Sequence, residues 1–278
     1  MKRPIMLAAL AACGLSSFAG AALATGAAQA STLPTLTIAL TQSSATISGP
    51  IAAGGVNIIS TDTGVKEASV ILFLLKPGVS VAEFEAFTKS KQVRDPNYAD
   101  KFGTIAFDTE ANQGQSRETQ TTLQPGQYAL MVGVGEGQPT VRTSFTVAAS
   151  AAPVALPTPQ ATIKSIEFGF RGPSTLHDGE LVRFENEGFL VHMDIALQVR
   201  SAKAAKRLIA LMLAGKEKQA GKLIVGAATF DGPLSTGAYQ QETITAKPGI
   251  YVEACFMDTQ DGRGHTLLGM ERVIHIVK

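Results

Sequence analysis

An internal repeat constrains this chain more than any single motif. Pro125-Gly126-Gln127-Tyr128 and Pro248-Gly249-Ile250-Tyr251 each set a Pro-Gly turn ahead of a strand-forming run. Pro presets the turn's φ and Gly accepts the conformation that other residues resist. Upstream, Gly64-Val65-Lys66-Glu67-Ala68 leads into an apolar run at 69–75, just as Gly188-Phe189-Leu190-Val191-His192 leads into 193–199. Each of those runs is followed by a helical stretch. In the first copy Val81, Phe84 and Phe87 recur at helical spacing within 80–89; in the second, Ser201 is placed as an N-cap ahead of Leu208, Leu211 and Met212.

Between the copies lies ASAAPVALPTPQAT, residues 149–162, uncharged and rich in Ala and Pro. Pro fixes φ and removes backbone donors, so this stretch reads as a semi-extended linker. The organisation that follows is a domain over 31–148, the linker, and a second domain over 163–278. Strand formers and turn-forming Gly and Pro recur throughout both. The expected fold class is all-β: two tandem Greek-key β-sandwiches, each with a short helical insertion. Periodicity alone leaves an immunoglobulin-like sandwich open.

Residues 1–30 read as a cleaved signal peptide. Lys2 and Arg3 form a basic start, an almost uncharged Ala/Leu-rich run follows, and Ala28-Gln29-Ala30 supplies a small-x-small cleavage site. An uncleaved anchor is the rival reading, as is lipidation at Cys13 within Leu10-Ala11-Ala12-Cys13. The expected location is periplasmic or secreted, with no membrane span in the mature chain. Losing Lys2 and Arg3 takes two from the 24 basic residues, against 23 acidic ones. A chain this close to neutral lacks the basic surplus of a nucleic-acid binder.

Removal of Cys13 leaves Cys255 alone, with no partner for an internal disulfide. A single thiol in an oxidising compartment is either a small buried apolar group or one kept for chemistry. Along its strand, Tyr251, Glu253 and Cys255 alternate onto one face, with Val252, Ala254 and Phe256 on the other. Taken singly, His192 would cap a strand edge, Met270 would fill a gap and His265 would sit exposed in a Gly-rich loop.

Together these residues carry a resemblance. Phe184-Glu185-Asn186-Glu187-Gly188, running on to His192, is similar to the Phe-x-Asn-x-Gly segment of cupredoxins that ends in their first copper-binding histidine. The Pro-Gly-Ile-Tyr strand at 248–251, leading to Cys255, resembles the strand that carries their ligand cysteine. His265 and Met270 follow in the order of the second histidine and the axial methionine. The resemblance implies a cupredoxin-like fold and one copper ion held by His192, Cys255 and His265, with Met270 axial. Two imidazoles and a thiolate with a weak thioether suit copper that cycles between Cu(I) and Cu(II). The Cys-to-His spacing resembles the wide ligand loop of copper nitrite reductases. Residues 258–264, DTQDGRG, are polar and turn-rich, and the wide loop from Phe256 to Gly264 reads as mobile. Cupredoxins usually place Asn after the first histidine, where it helps to tie the ligand loops together; Met193 stands here, so that tie must be built differently.

The first copy has Ala68 at the place of His192 and Val132 at the place of Cys255, and no histidine precedes His177. It is expected to serve structure or docking. Four histidines, two of them in the proposed site, are too few for the additional copper centres of multicopper oxidases or nitrite reductases. No Gly-x-Ser-x-Gly, His-Glu-x-x-His or phosphate-loop pattern occurs. A non-enzymatic copper protein for electron transfer or copper handling is the leading expectation, and a metal-free cupredoxin-like interaction module the alternative. The basic run of Arg200, Lys203, Lys206, Arg207, Lys216, Lys218 and Lys222 against a lone Glu217 reads as a solvated face or, with Lys203, Lys206 and Arg207 at its centre, as a docking patch for an acidic redox or copper-delivery partner.

Overall fold

Strands dominate the computed structural model, which describes residues 33–90, 96–135 and 138–278. The signal-peptide reading, with Lys2, Arg3 and Cys13, lies outside those residues. The first half contributes β1 (Thr35–Leu40), β2 (Ala45–Ser48), β3 (Gly54–Asp62), β4 (Glu67–Leu75), helix α1 (Val81–Thr88), β5 (Gly103–Asn112), β6 (Ser116–Leu123), β7 (Gly126–Val134) and β8 (Thr140–Val147). The second contributes β9 (Ala161–Ile166), β10 (Gly169–Arg171), β11 (Thr175–His177), β12 (Leu181–Asn186) and β13 (His192–Val199). After helices α2 (Ala202–Leu213) and α3 (Glu217–Gly221) come β14 (Ile224–Leu234), β15 (Tyr239–Thr243), β16 (Gly249–Ala254) and β17 (Glu271–Val277). No helix among the described residues is long and apolar enough to cross a membrane.

The two halves repeat the same connections. β1 runs parallel to β3 as β9 does to β12. β4 lies antiparallel between β5 and β7, as β13 lies between β14 and β16. Register bears out the residue-level correspondence. Val132 faces Val70, and extending the Ile195–Ala254 pairing by one step sets Cys255 opposite Asp194. Both facing residues lie two positions beyond Ala68 and His192. The Pro-Gly-x-Tyr turns match as well. Tyr128 Oη donates to Gln124 O at 3.2 Å and Tyr251 Oη to Lys247 O at 2.7 Å, each reaching four residues back.

Each half is a sandwich, as the alternating burial of its strands requires. In the first, Leu36, Ile38, Ile58, Val70, Leu72, Phe107 and Leu130 fill the space between the sheets; in the second, Ile163, Val182, Phe184, Ala196, Phe230, Tyr251 and Ile274 do so. The inner layers are one continuous eight-stranded sheet, β10-β9-β12-β15-β6-β3-β1-β2. Equivalent strands β6 and β15 meet antiparallel at its centre, with Gln240 facing Thr121 and Gln241 facing Gln120. Around this junction Arg117 forks onto Glu242 at 2.8 and 2.9 Å, and Gln240 exchanges hydrogen bonds with the Asp108 backbone. Residues 149–160 of the stretch read as a linker form no helix or strand and touch both halves, with Gly55 N–H donating to Val154 O at 2.6 Å and Gln241 Nε2 to Pro157 O at 3.0 Å; Ala161 and Thr162 already belong to β9.

Both helical insertions form where expected. The Ser80 and Ser201 side chains accept N–H bonds from Glu83 and Ala204, a cap worth about 1 kcal/mol. α2 buries Ala205, Leu208, Leu211 and Met212 on the outer face of the β13–β16–β17 sheet, in the same cluster as Cys255 and Met270. α1 packs Phe84 and Phe87 with Phe73 and Ile105 on the outer face of the β4–β7 sheet. That cluster also takes in Val191 and Met257 from the second half, so the two halves meet beside the candidate ligands.

Candidate metal centre

His192 is delivered by a loop that Asn186 closes. Its Nδ2 donates to Leu190 O at 2.7 Å and to Leu234 O at 2.8 Å, while its Oδ1 accepts from Gly188 N–H at 2.9 Å. A Cβ at Gly188 would stand 2.5 Å from a Glu167 carboxylate oxygen and 2.8 Å from His192 Nε2, so only glycine lets those two groups share the space.

Cys255 follows β16, which ends at Ala254. The strict alternation therefore stops one residue short of it: its side chain joins Val252 and Ala254 on the α2 side, whereas Tyr251 faces the sandwich interior. The sulfur is fully buried and accepts a hydrogen bond from Met193 N–H at 3.4 Å.

His265 opens a short 3-10 turn, His265–Leu268, which Gly269 ends at φ 91°. Met270 N–H then donates back to His265 O at 3.1 Å, and Cys255 N–H donates to Met270 O at 3.2 Å. Met270 is wholly buried in the cluster with Cys255 and Met193. The polar loop before His265 forms a small bonded hairpin. Thr259 N–H donates to Arg263 O at 2.9 Å, Arg263 N–H to Thr259 Oγ1 at 3.1 Å, and His265 N–H to Met257 O at 2.8 Å. Turn-rich composition marks where the chain reverses, and here the reversal satisfies its own backbone groups.

These segments bring three donors together. Cys255 Sγ lies 3.8 Å from His192 Nδ1 and 3.3 Å from His265 Nδ1, and one donor atom from each residue falls within 4.8 Å of the others. Both rings are at most 1% exposed, with centroids 4.9 Å apart. Burial holds the His265 imidazolium back and, with His192 beside it, pulls its pKa down to about 4. Burial lowers His192 too, against the pull of Glu167. Both imidazoles are thus neutral at neutral pH, the form that ligates metal.

Two residues of the β9–β10 turn close the site. The Glu167 carboxylate lies 3.5 Å from His192 Nε2 and accepts from Phe189 and Leu190 N–H. Burial alone would raise the Glu167 carboxyl, but those donors and His192 together hold it below its usual value. Phe168, at φ +56°, sets its ring edge-on to His265 at 5.3 Å. Asn97, in the 3-10 segment Pro96–Lys101 of the first half, accepts from Val191 N–H at 2.7 Å and donates to Asp258 O at 3.3 Å. None of these three residues carries a sequence signal, because each depends on which segments meet in space.

The donor set fits one copper ion. Cys255 Sγ stands 3.3 and 3.8 Å from the two Nδ1 atoms, close enough for one ion to be held by all three. Polar atoms facing one another inside an apolar shell are costly unless something binds them. Lys203, Lys206 and Arg207 lie apart from the donors, exposed on α2.

No protein-family model and no curated protein matches the chain. Among solved structures it is similar to auracyanin from Roseiflexus castenholzii, at 18% identity and TM-score 0.26, over 42% of this chain and 95% of that one. Auracyanin A from Chloroflexus aurantiacus matches 41% of this chain and 95% of its own, at 22% identity and TM-score 0.24. A copper-containing nitrite reductase from Thermus scotoductus spans 88% of this chain and 67% of its own, at 13% identity and TM-score 0.26. Similarity this distant carries no chemistry across, so the site's own donors carry the argument. Fold and donors define the class: paired β-sandwiches with, among the described residues, one His-Cys-His donor cluster, carried by the second.

Proposed function

We propose that this protein holds one copper ion through His192 Nδ1, His265 Nδ1 and Cys255 Sγ, with Met270 as the axial neighbour, and uses it to carry electrons or handle copper outside the cytoplasm. The observation that carries the reading is the convergence of both Nδ1 atoms on the only thiol among the described residues, in a buried pocket where both rings are neutral. Copper bound there would supply one-electron chemistry between Cu(I) and Cu(II). The chain's part is to hold the donors still: Asn186 fixes the His192 loop, Met270 stitches Cys255 to His265, and Met193 N–H stabilises the sulfur.

The remaining histidines, His177 and His275, are exposed on β11 and β17. An acidic redox or copper-delivery protein is the expected partner, met by Lys203, Lys206 and Arg207 on the helix that packs over the ligand cluster. The leader-like sequence at 1–30 supports a reading of export.

Adding Cu(II) to the purified protein and recording the visible spectrum tests the reading. A thiolate-to-copper band that Cys255→Ser abolishes is expected. A flat spectrum with no bound metal would leave a metal-free interaction module.

A further inference from the structure

The first half has no ligand of its own, yet it touches both loops that deliver ligands. Asn97 makes one hydrogen bond with each. Its carbonyl oxygen accepts from Val191 N–H, one residue before His192, and its amide donates to Asp258 O, three residues after Cys255. One partner is a donor and the other an acceptor, so a single orientation of the amide serves both. The same two loops also set an apolar side chain each, Val191 and Met257, into the cluster built on Phe73, Phe84 and Phe87. Each ligand loop is therefore attached to the first half twice, once through backbone and once through packing.

We propose that Asn97 is a positioning residue for the metal site, clamping the His192 and Cys255–His265 loops from across the boundary between the halves. It supplies a side-chain tie between the loops that the apolar, buried side chain of Met193 cannot make. The proposal deepens the copper reading and rests on it for its consequence: the clamp resists the separation of the donors that metal release requires. Groups that orient ligands without touching the metal typically govern affinity by about 10–100-fold.

The test uses the full chain and the variants Asn97→Ala and Asn97→Asp, with Tyr98→Ala, at a half-exposed neighbour on the same turn, as control. In metal-free protein, amide exchange at Val191 is expected to speed up about tenfold in Asn97→Ala and to stay slow in Asn97→Asp, which keeps an acceptor. After copper loading, transfer of Cu(I) to an excess of a Cu(I) chelator is expected to be about tenfold faster in both Asn97 variants, since both lose the donor to Asp258. Tyr98→Ala should match the wild type in both. Unchanged Val191 exchange and unchanged release overturn the clamp. Variants that fail to fold, judged by circular dichroism, overturn it too, because Asn97 would then hold the fold and not the loops. A wild type that takes up no copper sinks the function proposed above, while the exchange comparison still decides whether the tie exists.

Discussion

The backbone N–H of Met193 donates to the sulfur of Cys255 at 3.4 Å. Main chain alone makes this bond, so the side chain at 193 is left to pack, and it lies buried with Met270 and Leu211. Met193→Leu should keep the charge-transfer band and cost less than about 1.5 kcal/mol in a denaturant titration. Met193→Asn, the residue usual in cupredoxins, should instead cost about 1–3 kcal/mol by burying an amide in an apolar cluster. A gain in stability for Met193→Asn would mean that the cluster has polar partners to offer.

Acid should weaken the metal-free fold in two stages. His265 falls from 6.5 in the unfolded chain to about 4 when folded, and His192 is lowered as well. Below pH 6.5 the unfolded chain takes up protons that the folded one refuses, so stability drops as pH falls from about 6.5 to about 4. Glu167, held below its usual 4.5, adds a loss at still lower pH, where its carboxylate finally protonates. Thermal melts of wild type and His265→Gln across that range check the first stage: the variant should show a shallower slope between pH 6.5 and 4.

The matched tyrosine turns give a paired prediction. Tyr128→Phe and Tyr251→Phe should each cost about 1–2 kcal/mol, because the oxygen four residues back loses its donor inside a turn. Tyr128 is fully buried, which pushes its phenol to about 12 despite the hydrogen bond to Gln124. In an ultraviolet titration it should remain un-ionised until that pH. Between 10 and about 12 the unfolded chain ionises first, so stability should fall as pH rises.

Across the junction of the halves, Arg117 on β6 forks onto Glu242 on β15, both largely out of solvent. Glu242→Leu removes one partner of a shielded pair and should cost about 3 kcal/mol. If calorimetry found the loss close to zero, the nearby Glu110 would be compensating.

Much of the site was legible because its donors are scarce. With four histidines and one thiol after Cys13, the order His192, Cys255, His265, Met270 around recognisable strands left few alternatives, and Asn186 marked the loop before the first of them. The junction of the halves was not legible. Ser116–Leu123 and Tyr239–Thr243 are polar strands; they pair at Gln240 and Gln241, where the Gln241 amide also donates to Gln120, a match that neither strand announces alone. Asn97 was hidden for the same reason, being an ordinary residue after a proline until the fold sets it between two loops.

The continuous sheet bears on any attempt to cut the molecule at 149–162. Severing it there would uncover the rims of β6 and β15, each with bare N–H and C=O groups able to recruit a strand from another molecule. The liberated pieces should self-associate or exchange strands, and aggregation is the behaviour to expect of either half alone.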